Sequence, residues 1–108
     1  MQHFTRLAIA ALVMMIPVLP VAAQEAGDPA AGAALARTWC SGCHVVDPLQ
    51  SRGSDAVPSF AAIAAAPATN SESLHAFLTM PHGQMPDLKL AHRQIDVLVD
   101  YILSLRPR

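Results

Sequence analysis

The chain has 108 residues, 53% hydrophobic but only 5% aromatic, with a formal charge of −1 when histidine is neutral. Its seven lysines and arginines form no basic cluster against eight acidic residues, so no nucleic-acid partner is expected. The same balance gives no support to steering toward a strongly acidic partner.

Residues 1–23 read as a signal peptide. Arg6 marks a short n-region, Leu7 to Leu19 is almost wholly apolar, and Val21-Ala22-Ala23 offers small residues for cleavage after Ala23. Pro17 and Pro20 break the apolar run, which is short beside the ~20 residues of a membrane span, so an uncleaved anchor is the poorer alternative. This segment lifts the mean hydropathy to +0.35. Loss of Arg6 takes the formal charge from −1 to −2, and export predicts a periplasmic location. The expected domain, residues 24–108, is small enough to bury only ~60% of its unfolded surface and to need a staple.

Asp28-Pro29 has the chemistry of a helix start, an N-cap followed by proline at the first helical position. The Ala-rich stretch Ala30 to Thr38 then predicts a helix running into Trp39-Cys40. From His44 to Val57 the turn residues Asp47-Pro48 and Arg52-Gly53-Ser54 predict a loop. A loop this long in a compact domain usually has a task, here to cover one side of a bound group. Ser59 is placed to cap a short helix over Phe60 to Ala66, ended by Pro67. Thr69 and Glu72 stand at capping-box spacing before Leu74, Phe77 and Leu78, and Pro81 stops that helix. A polar loop follows, Pro81 to Lys89. Ile95, Leu98, Val99, Ile102 and Leu105 then form one apolar stripe ending at Pro107. No segment alternates as a strand, which predicts an all-α chain of four to five short helices without repeats.

The chemistry-bearing motif is Cys40-Ser41-Gly42-Cys43-His44. Two thiols separated by two residues can each add to one vinyl group of a single haem, giving two thioether links. The adjacent histidine is then held beneath the iron and can ligate it as a neutral imidazole. No other cysteine competes for these thiols. Such a covalent haem would also supply the staple that so small a domain wants.

With this motif, Gly27-Asp28…Gly32, Val57-Pro58-Ser59-Phe60, Gln84-Met85-Pro86-Asp87-Leu88 and the final Leu98-Val99-Asp100-Tyr101-Ile102, the chain resembles class I monohaem cytochromes c. The resemblance implies a cytochrome c fold in which the first and last helices cross, Gly32 admitting the Leu98 and Tyr101 face. Ala36 stands where the family often has an aromatic residue, and the sole tyrosine, Tyr101, could equally be a core residue with its hydroxyl at the surface. It further implies that the Pro58 carbonyl accepts a hydrogen bond from His44 and that Met85 is the second axial ligand. Pro86 would stiffen the chain behind that ligand.

His82 is the rival ligand, a better base that would lower the potential, whereas Met80 reads as an ordinary core-filling methionine. His75 reads as a surface or haem-edge residue. His92 follows Ala91, which leaves the last helix without the Ser or Thr cap usual in the family. The implied function is a one-electron carrier, not an enzyme, acting as a monomer between donor and acceptor redox proteins. Membrane contact would come only through membrane-bound redox partners.

Two other readings of the cysteines compete. Trp39-Cys40-x-x-Cys43 resembles the dithiol site of thioredoxin-type proteins, but that fold needs a strand before the motif. A structural zinc site would want four ligands, and only one CxxC pair is present.

Overall fold

The computed structural model describes residues 27–53, 56–80 and 83–108. The expected leader, Pro81 and His82 lie outside the described residues. Four helices follow one another in the chain: α1 Pro29–Trp39, α2 Phe60–Ala65, α3 Ser71–Thr79 and α4 His92–Ser104. No strand occurs among the described residues, and the all-α expectation holds.

The helix ends follow local chemistry. Asp28 accepts from the Ala31 N–H at 2.9 Å, with Pro29 at the first position of α1. Ser59 accepts from the Ala62 N–H at 3.1 Å to open α2. Ala66 turns extended because the residue before Pro67 is driven out of the helical region. One cap differs from expectation: α3 starts from Asn70, not Thr69. The Asn70 side chain accepts from the Ser73 N–H at 2.8 Å, while the Ser73 hydroxyl accepts from the Asn70 N–H at 2.9 Å. Thr69 is taken by the preceding turn, its N–H donating to the Ala66 carbonyl. Asparagine, the better cap, stands one residue later.

Helix α4 is the hub, touching α1, α2 and α3. Ala33 and Ala36 of α1, Phe60 and Ala64 of α2, and Leu74 of α3 gather with Ile95, Leu98, Val99, Tyr101 and Ile102 of α4 in one core. The α1–α4 crossing depends on Gly32. A Cβ there would lie 1.8 Å from the Val97 carbonyl oxygen and 2.7 Å from Tyr101 Cβ. Only glycine lets the two backbones approach so closely. Ala36, fully buried, shows that a methyl group suffices at the position one turn later.

Tyr101 is buried, and its hydroxyl turns inward to donate to the Val46 carbonyl. Fastening of this loop residue to α4 replaces the surface hydroxyl allowed by sequence alone. At the far end of α4, Arg106 donates to the carbonyls of Ala64 at 3.2 Å and Thr69 at 2.6 Å, tying the chain end to the α2–α3 connection.

Candidate functional site

Helix α1 delivers the motif. Cys40 caps it, and the chain continues as a tight turn in which the Cys43 and His44 N–H groups both reach the Cys40 carbonyl, at 3.2 and 2.9 Å. Cys40 is buried and Cys43 exposed. Burial pushes the Cys40 thiol up to about 11. Dithiol redox sites work through a thiolate stabilised well below its usual pKa, so this environment opposes that chemistry. The helix in front of the motif, where a thioredoxin-type site needs a strand, argues the same way.

His44 is half-buried, and its Nδ1 lies 2.6 Å from the Pro58 carbonyl oxygen. A carbonyl only accepts, so Nδ1 carries a proton, and the neutral tautomer this bond selects has its lone pair on Nε2. The Phe60 ring sits 5.5 Å from the imidazole, and Phe60 in turn packs near Tyr101. A second bond fixes the register, the Phe60 N–H donating to the Val45 carbonyl at 2.9 Å. The motif exit and residues 58–60 are therefore pinned side by side. The structure brings Cys40, Cys43, His44 and Pro58 into one group.

Met85 belongs to a second cluster. It is half-buried in a narrow cleft lined by Leu78, Met80, Pro86, Asp87, Leu88 and Leu90. Met80, expected in the core, is 62% exposed. It follows the last residue of α3 with extended backbone, as the residue before Pro81 should, and so lies outside the helix face that packs on the core. Beyond Met85, Lys89 occupies the left-handed region at φ 52°, held there by an N–H bond to Asp87 Oδ1 at 3.0 Å and an ammonium contact at 2.8 Å.

A 45% identity over 82 residues joins this chain to cytochrome c-552 of Bradyrhizobium diazoefficiens, covering 76% of this chain and 79% of that relative. The chain belongs to the small monohaem c-type cytochromes. These are electron-transfer proteins carrying a haem c. No family model matches this cytochrome, and no solved structure matches it. The grouped residues suit such a group: two thiols on one turn and an imidazole whose Nδ1 is already committed to Pro58.

Sequence reasoning missed the polar fastenings of the motif loop. Arg37 of α1 grips Asp47 through Nε at 3.1 Å and Nη2 at 2.7 Å. The guanidinium, after the Leu49 N–H bond, holds the Asp47 carboxyl below its ordinary range. Gln50 folds back over the motif turn from the same loop. Their only signal in the sequence is a pair of opposite charges ten residues apart, too common to be read as a contact.

Of the remaining histidines, His75 bridges α3 to α4. Its Nδ1 donates to the Ser71 carbonyl at 2.7 Å and its Nε2 to Asp96 Oδ1 at 2.9 Å. Both partners only accept, so the imidazolium is the form that satisfies both. The Ser71 carbonyl, then Asp96, raise its pKa from the usual 6.5. His92 opens α4 after Ala91, which makes no side-chain cap bond, as expected.

Proposed function

We propose that this cytochrome is an exported one-electron carrier whose haem is held by thioethers from Cys40 and Cys43, with His44 and Met85 as axial ligands. The observation that carries the reading is the His44–Pro58 bond, which directs one ring nitrogen to a carbonyl and frees the other for a metal. When bound, the haem supplies an Fe(II)/Fe(III) couple, and two axial protein ligands leave no open position for a substrate.

The chain's own residues set the conditions of that couple. Hydrogen bonding to Pro58 fixes the His44 tautomer and raises its basicity. Met85 offers a soft thioether, a ligand that raises the potential relative to a second imidazole. Leu78, Leu88 and Leu90 line its cleft, with Asp87 the one charged side chain there among the described residues. In this reading residues 1–23 are the leader, and residues 24–108 function as a monomer in the periplasm. Donor and acceptor are redox proteins, met directly or at the membrane through membrane-bound partners. Such encounters use small interfaces, below ~1,200 Å². With few positive charges available, docking depends little on salt.

Optical spectra of the oxidised and reduced protein, made with haem-attachment machinery, test this for the native chain and Met85→Ala. The expected result is haem that survives denaturation, with a weak far-red sulfur-to-iron band lost in the variant. Covalent haem without that band in the native protein moves the ligand to His82 or leaves the position open. No covalent haem returns Cys40 and Cys43 to dithiol chemistry and overturns the proposal.

A further inference from the structure

We infer that Gln50 is a positioning residue for His44, holding the motif turn by its carbonyls; this rests on the haem reading above. After Cys40 the chain leaves the helix, so the motif's own carbonyls lose the partners a further helical turn would provide. The Gln50 carboxamide takes their place. Its two Nε2 protons face three carbonyls, those of Ser41 at 3.2 Å, His44 at 2.9 Å and Arg52, so that one proton is shared. Its Oε1 accepts from the Val46 N–H at 3.0 Å. A flipped amide would set an oxygen against three carbonyls and an NH₂ against an N–H, so these neighbours admit one orientation only.

The loop presents Gln50 for this purpose. The Gln50 N–H closes a turn onto the Asp47 carbonyl at 2.9 Å, and Asp47 is anchored to α1 by Arg37. His44 is therefore gripped at two points, its carbonyl by Gln50 and its ring by Pro58. The Gln50 bonds fix the His44 peptide, and with it the point from which the ring reaches the Pro58 carbonyl; a shift of that peptide moves the ring out of line with Pro58. Alignment with Pro58 increases the electron donation of the imidazole and favours the oxidised metal. Without Gln50 that alignment relaxes, and the balance moves toward the reduced form.

The test uses the haem-loaded native protein, Gln50→Leu and Gln50→Glu at pH 7. Glutamate keeps the shape and an acceptor for Val46 but brings no proton to the Ser41 and His44 carbonyls. Both variants are expected to raise the reduced-to-oxidised ratio at fixed solution potential at least threefold. NMR should show exchange of the His44 Nδ1 proton at least tenfold faster. If Gln50 only fills space, Gln50→Glu matches the native protein; if it only stabilises, the melting temperature falls with ratio and exchange unchanged. Either result overturns the inference.

A measurement on the native protein needs no variant. The Gln50 side-chain amide protons should exchange at least tenfold more slowly than those of exposed Gln84, and equal rates overturn the inference. A native chain without covalent haem defeats the electron-carrier reading itself. Covalent haem with fast Gln50 exchange defeats the Gln50 role alone.

Discussion

Residues 27–60 and residues 71–90 reach α4 by different means. The first segment meets it without clearance at Gly32, ties a loop to it through Tyr101 and Val46, and locks His44 between Gln50 and Pro58. The second rests on it through Leu74 and an imidazole–carboxylate bridge, then passes into a cleft around Met85 lined mostly by leucine and methionine side chains, with Pro86 and Asp87. Directional bonds to backbone tolerate little displacement, whereas methionine and leucine side chains repack at small cost. The surroundings of His44 are thus set by directional bonds, and the side chains lining the Met85 cleft can repack at smaller cost.

Gly32→Ala attacks the first segment and carries the largest expected effect. The new methyl group meets the Val97 carbonyl, part of the α4 backbone, so α1 must shift as a unit. Overpacking of this kind costs roughly 3 kcal/mol, a large share of the ~5–15 kcal/mol available to a folded domain. Guanidinium denaturation of the haem-loaded protein should show that loss. Near-native stability would mean that the crossing has slack, and the contrast between the two segments would weaken.

The second segment is tested by pH. The folded pKa of His75 lies above its usual 6.5, raised by the Ser71 carbonyl and by Asp96, with Asp100 also facing it from α4. A raised folded pKa means that the native state holds the proton more tightly than the unfolded chain. The bridge therefore contributes fully below pH 6.5 and fades as pH rises through the folded value. The side chains of His75 and Asp96 are 35% and 51% exposed, so solvent and salt keep the effect small. The melting-temperature difference between the native protein and His75→Gln should be positive at pH 5 and close toward pH 9. A difference that stays flat across this range would show that the bridge does not fasten α3.

The limits of sequence reading follow the same physics. Asp28-Pro29, Ser59 and the α4 stripe were legible because a cap and an apolar face are set within a few residues. Thr69 was mistaken for Asn70 because two adjacent residues can both cap, and the turn that claims Thr69 is seen only in three dimensions. The grouping of Cys40, Cys43 and His44 is written in five consecutive residues. Pro58 came from family likeness, since nothing local in Val57-Pro58-Ser59 says that a carbonyl will point at a ring fourteen residues back. Gln50, Tyr101 and Arg106 were illegible as fastenings. Each spends a common side chain on a backbone carbonyl, and any carbonyl in the chain could have been its partner.

The smallest expected effect concerns the helix that both segments share. Ala91 already has the extended backbone of an N-cap, and its N–H donates to Gln94 Oε1 at 2.8 Å, which is half of a capping box. A serine there would add the missing half, its hydroxyl accepting from an N–H in the first turn of α4. Ala91→Ser should therefore stabilise by ~0.5–1 kcal/mol, a rise of a few degrees in melting temperature for a domain of this size. The gain belongs to α4, so the pH-dependent difference assigned to His75 should keep its shape. A change in that shape would mean that capping had moved Asp96, little more than one turn along the helix, and that the looser segment answers to the α4 start. An unchanged melting temperature would mean that Gln94 alone already satisfies this helix end.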